Sequence, residues 1–519
     1  MPRPTDTVGD AVASVAADEI PGIVAEVRAA FNTDITRSKG WRLEQLEAFE
    51  RMMTEGEEEM CEAIYKDLHK SKFDAQWQEL AMTKAEIYEM KHNLDNFMAD
   101  EIVNSGHVNS LSTSYIQRDP LGVVLVLGAW NYPILLQLQP VAAAIAAGNC
   151  VIMKPGSYSK NVATTITRLI NKYMDTSCIR CIEGNRTITS ALLEQKFDKI
   201  FFTGSPYVGK MIAEAAAKTL TPVVLELGGK SPCIIDRTAD LYVAAHRSGW
   251  GALMNSGQTC VRPDYFMVHE EIADKFISEL IAVIKKFYNG NPQQSEWFGR
   301  LINDSAYKRL MKCVNNDGQY IVHGGGNDAA EKFIEPTIFD FKNDFEAFKN
   351  SDVMQDELFG PLIPIYRYSD LDDEVLQFIR AGPKPLALYC FTTDNDIAER
   401  TLRLTSSGAA VVNDVVVHLG NPNLPFGGVG DSGMGSYHGK FSFDTFSHLK
   451  AVVKRSNYLD LPQRYAPYSS LDQVVLGAAM QPHVGHYYNV ITDTLSDKKN
   501  LAIMAMGTFI LRNMFKSKL

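Results

Sequence analysis

The sequence predicts an α/β protein with two doubly wound parallel sheets. Short apolar runs alternate with helical patterns from Leu121 to Glu226, and a second alternating region continues to about Asn413. The chain of 519 residues is also too long for a single hydrophobic core. Two or three domains are therefore expected.

The region before the first alternation is predicted to be helical. From residue 23 to about 98, apolar residues such as Ile23, Val27 and Phe31 recur at helical spacing. Residues 102–118 then change to Ser, Thr, Asn and alternating apolar residues, which is typical of a β-hairpin.

The first alternating region predicts strands at 123–127, 150–153, 179–182, 199–202 and 223–227, with helices near 140–147, 162–173, 188–195 and 208–217. Ligands of such a sheet bind beyond the carboxyl ends of its strands. The candidate positions at these ends are Asn131, Lys154, Gly204 and Glu226.

The second alternating region predicts strands at 233–235, 265–268, 362–366 and 386–391. Residues 424–430 follow it and are rich in glycine and turn formers. They are predicted to form a loop that returns to a cleft.

Composition excludes several classes of protein. A net charge of −11 argues against nucleic-acid binding, which needs a basic patch. Eight cysteines spread thinly over the chain do not form a disulfide framework, so a reducing compartment fits. Residues 1–20 lack the apolar core of a secretory signal, which predicts a location on the cytosolic side.

The long apolar run outside the predicted core is Leu501–Leu511. As a helix it would reach about 16 Å, roughly half of the hydrocarbon thickness of a bilayer. Arg512, Lys516 and Lys518 follow it, a pattern that suits an interfacial helix or a short tail anchor beside anionic lipid. The alternative is a terminal helix packed on its own or a neighbouring subunit.

Glu226 and Cys260 are candidates for covalent chemistry on a carbonyl. Glu226 ends an apolar strand beside Gly228 and Gly229, where a carboxylate is either structurally paired or kept as a base. Cys260 follows Ser-Gly-Gln-Thr and needs a helix N-terminus, a cation or a polar cleft to form a thiolate, because a free thiol has a pKa of about 8.5. A single cysteine considered alone is most often structural.

Two further strand ends are weaker candidates. The amide of Asn131 could donate to an oxyanion, or could bond its own turn. Residues 204–209 (GSPYVG) join a strand to a helix, where backbone donors can hold a pyrophosphate. Their spacing differs from the usual dinucleotide fingerprint.

No metal site is predicted. Cys178 and Cys181 have CxxC spacing, but they lie in a predicted central strand without a second ligand pair. His483 and His486 likewise lack a partner cluster.

From about residue 20 to 450 the chain resembles the aldehyde dehydrogenases, specifically the class 3 or fatty aldehyde group. The resemblance rests on long motifs in the family's order: 121–133 (LGVVLVLGAWNYP), 221–232 (TPVVLELGGKSP), 255–265 (NSGQTCVRPDY), 355–361 (QDELFGP), 424–439 (LPFGGVGDSGMGSYHG) and 446–448 (FSH). It implies an aldehyde dehydrogenase-like fold with a small β oligomerisation arm.

The resemblance implies a catalytic role for three residues. Cys260 attacks the aldehyde, and the Asn131 amide and the Cys260 backbone N–H hold the resulting oxyanion. Glu226 activates the water that hydrolyses the thioester.

The resemblance also implies a nicotinamide cofactor. Lys154 corresponds to the lysine that reaches the adenosine ribose, whereas Gly204, Ser205 and Gly209 cradle the pyrophosphate. Glu357 and Phe359 position the nicotinamide ribose and ring.

One departure from the family pattern concerns the adenosine ribose. The family commonly has Lys-Pro-Ser-Glu where this chain has Lys154-Pro155-Gly156-Ser157. A glutamate would repel a 2′-phosphate, whereas Ser157 beside Lys154 should tolerate one. NAD is therefore the expected cofactor, with NADP also accepted.

The expected domains are an NAD(P)-binding domain (1–99 and 121–225), a catalytic domain (226–413), an oligomerisation arm that forms a homodimer (100–120 and 414–455) and a C-terminal extension (456–519), which is expected to contact a membrane. The resemblance implies an apolar aldehyde as substrate, either a fatty aldehyde or an apocarotenal. The alternative function is a cysteine-dependent esterase or acyltransferase without redox chemistry.

Overall fold

A computed structural model describes residues 15–106, 109, 112–457, 464–473 and 476. The apolar run Leu501–Leu511 and the pair His483 and His486 lie outside these residues. Within the described ranges, no helix is both long enough and apolar enough to cross a membrane.

The helices of the described chain are α1 Ile20–Phe31, α2 Lys39–Glu55, α3 Glu57–Leu68, α4 Lys72–Ala75, α5 Met82–His92, α6 Leu94–Met98, α7 Leu135–Ala146, α8 Lys160–Tyr173, α9 Arg186–Leu193, α10 Pro206–Ala217, α11 Leu241–Leu253, α12 Glu270–Phe287, α13 Asp304–Asn316, α14 Phe345–Asn350, α15 Asp352–Gln355, α16 Gln377–Ala381, α17 Asn395–Leu404 and α18 Gly439–Thr445. The predicted helical region before residue 98 is confirmed by α1 to α6. Two wider π-helical turns, Gln76–Ala81 and Leu371–Leu376, lead into α5 and α16.

The strands are β1 Glu101–Val103, β2 Ser112–Pro120, β3 Val123–Leu127, β4 Cys150–Lys154, β5 Ile179–Cys181, β6 Lys199–Gly204, β7 Val223–Leu227, β8 Pro232–Ile235, β9 Tyr265–His269, β10 Ile321–His323, β11 Asn327–Asp328, β12 Phe333–Ile334, β13 Thr337–Asp340, β14 Leu362–Tyr368, β15 Ala387–Phe391, β16 Ala409–Val412, β17 Gly433–Met434 and β18 Ser447–Arg455.

A six-stranded sheet has the order β17-β7-β6-β3-β4-β5. Its neighbours from β7 to β5 are parallel, as predicted. Every residue of β3 and β4 is buried, because helices cover both faces of the sheet. This burial explains why the sequences of these strands are nearly continuous apolar runs.

A seven-stranded sheet has the order β10-β13-β14-β9-β8-β15-β16. It contains all four predicted strands of the second region, and only β10 pairs antiparallel. Strands β13 and β16 are not predicted from the sequence, because β13 has apolar residues at only two of its four positions and β16 begins with two alanines, which are poor strand formers. The two predicted parallel sheets are thus both present.

One sequence expectation needs correction. The strand that carries Cys181 is β5, which lies at the edge of the six-stranded sheet rather than in its centre. The eight cysteines are all free, and the described residues contain no cluster that could hold a metal ion.

Residues 414–455, which the sequence assigns to the arm, are divided between the two compact units of the chain. Residues up to His448 belong to the larger compact unit of the chain. The physical reason is that β17 joins the six-stranded sheet, where Gly433 pairs antiparallel with Glu226. The glycine-rich loop thus returns to the edge of that sheet.

A separate three-stranded sheet has the order β1-β2-β18. Its first two strands form an antiparallel hairpin in which Ile102 pairs with Tyr115. The Nζ atom of Lys454 on β18 lies 5.0 Å from the centre of the Tyr115 ring. The predicted hairpin is therefore present.

Candidate active site

The candidate residues at the strand ends lie along one edge of the six-stranded sheet. Lys154 and Gly204 are the last residues of β4 and β6, and Glu226 is the penultimate residue of β7. Asn131 lies in the turn after β3. Because these strands are parallel neighbours, their carboxyl ends bring the four positions to the same edge of the sheet.

The loop that carries Cys260 has an unusual backbone. Asn255, Ser256 and Gly257 are consecutive residues with φ of 54°, 54° and 75°. At Gly257 a Cβ atom would lie 2.2 Å from the Gly360 carbonyl oxygen, so only glycine fits. Such left-handed residues are energetically costly and cluster at functional sites.

Hydrogen bonds join this loop to the turn after β3. The Asn131 side-chain amide donates to the Gln258 carbonyl at 3.1 Å. The Asn255 amide donates to the Asn131 carbonyl at 2.9 Å and to the Gln258 carbonyl at 3.2 Å. The structure thus brings Asn131 and the Cys260 loop together, as the sequence predicts.

Cys260 is partly exposed as a residue, whereas the other seven cysteines are buried. Desolvation raises the pKa of Cys260 to about 12, and the nearby charges of Glu357 and Glu226 add to this shift. The backbone N–H groups of Cys260 and Val261 act in the opposite direction. The thiol must therefore lose its proton to a neighbouring base when it reacts.

The Glu226 side chain is buried without a hydrogen-bond partner among the described residues. Its side chain is only 2% exposed, and neither carboxylate oxygen has a hydrogen-bond partner among the described residues. Burial raises the pKa of Glu226 well above its usual range. Of the two interpretations that the sequence leaves open, a structural pairing is therefore not observed, and a proton-accepting role fits better.

Lys154 and Ser157 form a polar pair beside the turn after β3. Lys154 Nζ donates to Ser157 Oγ at 2.9 Å and to the Pro155 carbonyl at 2.8 Å. Burial lowers the pKa of Lys154 to about 8. A Cβ atom on Gly156 would lie 2.9 Å from the backbone of Ala129, so this segment packs closely on the turn.

The segment after β6 forms a helix N-terminus. Ser205 is the N-cap of α10, where its hydroxyl accepts from the Val208 N–H at 3.4 Å. A Cβ atom on Gly209 would lie 2.6 Å from the Leu227 side chain, so glycine lets α10 approach β7. The first turn of α10 thus presents backbone donors near Gly204.

Glu357 and Phe359 contact the segments that follow β7 and β3. The Glu357 carboxylate packs on Gly228, where a Cβ atom would lie 2.0 Å from Oε2. Burial, together with the charge of Asp264, raises the pKa of Glu357 to about 8. Phe359 has φ of 49°, and its ring centre lies 5.4 Å from that of Trp130.

Sequence reasoning missed the residues that support the Asn131 turn. Lys70 and Glu79 form an ion pair of 2.6 Å that is at most 2% exposed. The Tyr132 hydroxyl lies 2.6 Å from the Thr259 hydroxyl. Tyr132 and Thr259 could have been identified from the sequence, because each is adjacent to a candidate residue. Lys70 and Glu79 could not, because their sequence context is that of charged residues on the surface of a helix.

Comparison with known proteins agrees with this geometry. The model of the aldehyde dehydrogenase family matches residues 2–452. A protein named "Aldehyde dehydrogenase, dimeric NADP-preferring" from Canis lupus familiaris is 43% identical over 451 residues, which cover 86% of this chain and 98% of that protein. A 4,4'-diaponeurosporen-aldehyde dehydrogenase from Staphylococcus aureus is 42% identical over 441 residues, which cover 85% of this chain and 95% of that protein.

A solved structure described as the substrate bound state of Staphylococcus aureus AldH has a TM-score of 0.86 and 41% sequence identity to this chain. The match covers 89% of this chain and 99% of that structure. The chain is therefore a member of the aldehyde dehydrogenase family, an enzyme that oxidises aldehydes.

Proposed function

We propose that the chain oxidises a long-chain or bulky apolar aldehyde to its carboxylic acid through a covalent adduct on Cys260, with NAD or NADP as cofactor. One observation carries the proposal. The partly exposed residue Cys260 follows the loop that hydrogen-bonds to the Asn131 amide, and the unpartnered Glu226 carboxylate is close enough to contribute to the raised pKa of Cys260.

In the first step the Cys260 sulfur attacks the carbonyl carbon of the aldehyde while its proton passes to a base. The carbonyl oxygen then carries negative charge, and donors aimed at that charge lower the barrier. Asn131 Nδ2, now bonded to the Gln258 carbonyl, is the side-chain donor, and the Cys260 N–H is the backbone donor.

In the second step Glu226 acts on water. After oxidation the acyl group is bound to Cys260 as a thioester. Glu226 removes a proton from water, the water oxygen bonds to the acyl carbon, and the carbon–sulfur bond breaks to release the acid and the thiolate. The raised pKa of Glu226 makes it a stronger base than an exposed carboxylate.

The residues at this edge of the sheet support binding of a dinucleotide. Lys154 and Ser157 would hold the adenosine ribose, and Gly204, Ser205 and Gly209 at the start of α10 would hold the pyrophosphate. Glu357 has a buried oxygen without a partner among the described residues, which suits a ribose hydroxyl, and Phe359 would position the ring. When bound, the cofactor accepts a hydride from the substrate carbon.

Two observations support an apolar substrate. Trp250 lies on α11, the helix that leads to the Cys260 loop, and its ring stacks on Trp77 at 6.1 Å. Trp77 is 38% exposed, so this aromatic pair reaches the surface. The staphylococcal relative is named for a 4,4'-diaponeurosporen-aldehyde, which favours testing apocarotenals beside fatty aldehydes.

The test is a panel of short, long-chain and apocarotenoid aldehydes with NAD or NADP, followed by the absorbance of the reduced cofactor. Wild type should prefer the apolar aldehydes, and Cys260→Ala should abolish the reaction while cofactor binding persists. Cys313→Ala, which alters a buried thiol on α13, is the matched control and should stay active. Acyl release without reduced cofactor would favour the esterase function, and activity in Cys260→Ala would contradict the proposal.

We also propose that the chain forms a homodimer through the sheet β1-β2-β18 and contacts a membrane from the cytosolic side through residues 501–511. The exposed face of β18 and the apolar run support these two proposals. Sedimentation should give twice the chain mass. Deletion after Asn500 should move the protein from the membrane to the soluble fraction, and an unchanged distribution would contradict the anchor.

A further inference from the structure

The buried ion pair between Lys70 and Glu79 touches the turn that carries Asn131. Lys70 Nζ lies 2.6 Å from Glu79 Oε1, and the two side chains are 2% and 0% exposed. Removing two charges from water costs several kcal/mol per ion, so such a pair is weak support for stability by itself. A buried ion pair can instead fix the position of the groups that it contacts.

The pair is bonded to both ends of the turn. Lys70 Nζ lies 3.5 Å from the Asn131 carbonyl oxygen and 4.1 Å from the centre of the Tyr132 ring. The second oxygen of Glu79 accepts from the Ile134 N–H at 2.9 Å. Both carboxylate oxygens of Glu79 therefore accept a hydrogen bond, one from Lys70 and one from the backbone of Ile134.

A local distortion of the helix places Glu79 in this position. Glu79 lies in the π-helical turn Gln76–Ala81 between α4 and α5. Gln78, Glu79 and Leu80 are three consecutive buried residues, whereas a regular amphipathic helix buries one stripe. Such π-bulges are frequent at functional sites.

We propose that Lys70 and Glu79 are positioning residues that hold the turn 131–134 so that the Asn131 amide faces the aldehyde oxygen. The inference rests on the proposed role of Asn131. Neither residue reaches the thiol; the pair acts through the backbone of Asn131 and Ile134 and through the ring of Tyr132. A shift of about 1 Å in such a donor is enough to cost about a hundredfold in rate.

A double-mutant cycle tests the inference. Lys70→Met, Asn131→Ala and the double variant are compared by kcat/KM for an aldehyde and by the single-turnover rate of cofactor reduction. Asn131→Ala should lower kcat/KM by about a hundredfold or more, since it removes an oxyanion donor. Lys70→Met should lower it by about tenfold in the wild-type background and by less than about twofold when Asn131 is already Ala.

A second variant separates positioning from stability. In Lys70→Met/Glu79→Leu both charges are replaced by apolar side chains, a change that often leaves stability intact. We expect its Tm to lie above that of Lys70→Met, which leaves the Glu79 charge buried without its partner, and somewhat below that of wild type, because the Ile134 N–H loses its acceptor. The value of kcat/KM should stay lowered. Arg367→Met is the matched control, because it breaks the buried bridge from Arg367 to Asp340 (2.7 Å) in the seven-stranded sheet; it should lower Tm and leave kcat/KM within about twofold.

The outcomes distinguish the inference from the proposed function. An equal loss from Lys70→Met in both backgrounds, or wild-type kcat/KM in Lys70→Met/Glu79→Leu, would overturn the positioning role alone. Wild-type kcat/KM in Asn131→Ala would contradict the oxyanion role of Asn131 and the inference that rests on it.

Discussion

The hydroxyl of Tyr132 lies 2.6 Å from the hydroxyl of Thr259, which joins the residue after Asn131 to the residue before Cys260. The Thr259 hydroxyl also donates to the Met254 carbonyl at 3.2 Å. The candidate oxyanion donor and the candidate nucleophile thus stand on two segments that are separated by more than 120 residues and tied together beside the reacting atoms. Catalysis requires both groups to be held in the correct position relative to the substrate carbonyl.

Tyr132→Phe removes this tie while keeping the ring. We expect kcat to fall about threefold to tenfold and the free energy of unfolding to fall by about 1 kcal/mol, since one buried hydrogen bond is lost. Steady-state kinetics and thermal unfolding measure the two effects. Tyr307→Phe, which removes an exposed hydrogen bond to Asn327, should change neither. Unchanged kcat in Tyr132→Phe would show that the tie has no role in the reaction.

Glu226→Gln should separate the two chemical steps. The amide keeps the size of the side chain but cannot take a proton from water, so hydrolysis of the thioester should become the slow step, by about a hundredfold or more. Mass spectrometry of the quenched enzyme should then show the acylated chain. If Glu226→Gln turned over at the wild-type rate, another group would be the base.

Ser157→Glu should change the choice of cofactor. Ser157 is exposed and bonds only to Lys154 and to the Gly184 carbonyl among the contacts of the described residues, so a longer side chain fits there. A carboxylate at this position repels a 2′-phosphate, and we expect the ratio of kcat/KM for NAD over NADP to rise at least about tenfold.

Ser157→Ala is the control for this substitution and should leave the ratio within about threefold. Wild type should accept both cofactors. A wild-type preference for NAD above about a thousandfold, or some 4 kcal/mol, would contradict the tolerance inferred from Ser157.

The affinity for NADP should depend on pH through Lys154. Because burial lowers the pKa of Lys154 to about 8, its ammonium is charged below that pH and becomes a neutral amine above it. The Kd for NADP should therefore rise as the pH increases from about 8 to 9.5, whereas the Kd for NAD should change less. Fluorescence titration measures both constants. Lys154→Met should bind NADP weakly at every pH, and an equal pH dependence in this variant would assign the effect to another group.

Much of the site could be predicted because strand ends are visible in the sequence. The buried strands β3, β4, β6 and β7 read as apolar runs, so the positions that follow them can be identified from the order of residues alone. The motif around Cys260 adds the remaining segment. Parallel pairing then brings these positions to one edge, which is a property of topology rather than of any single residue.

The rest of the site could not be predicted, because it depends on contacts between distant segments. Nothing in the sequence around Lys70 distinguishes it from the exposed lysines of the same helical region, and its burial follows from packing against the turn at Tyr132. The left-handed backbone conformation at Asn255 and Ser256 could not be predicted either, because neither residue is a glycine. Strand β17 has only two residues and no apolar run.

The pairing of β17 with β7 has a consequence for synthesis of the chain. Gly433 pairs with Glu226, and the Leu227 N–H donates to the Ser432 carbonyl at 3.0 Å, so the sheet edge at Glu226 is completed by residues some two hundred positions later in the chain. A chain that emerges from the ribosome cannot close this edge until residue 434 has been translated. The backbone around Glu226 therefore gains its final setting only after residue 434 has been translated, and a nascent chain shorter than this lacks it.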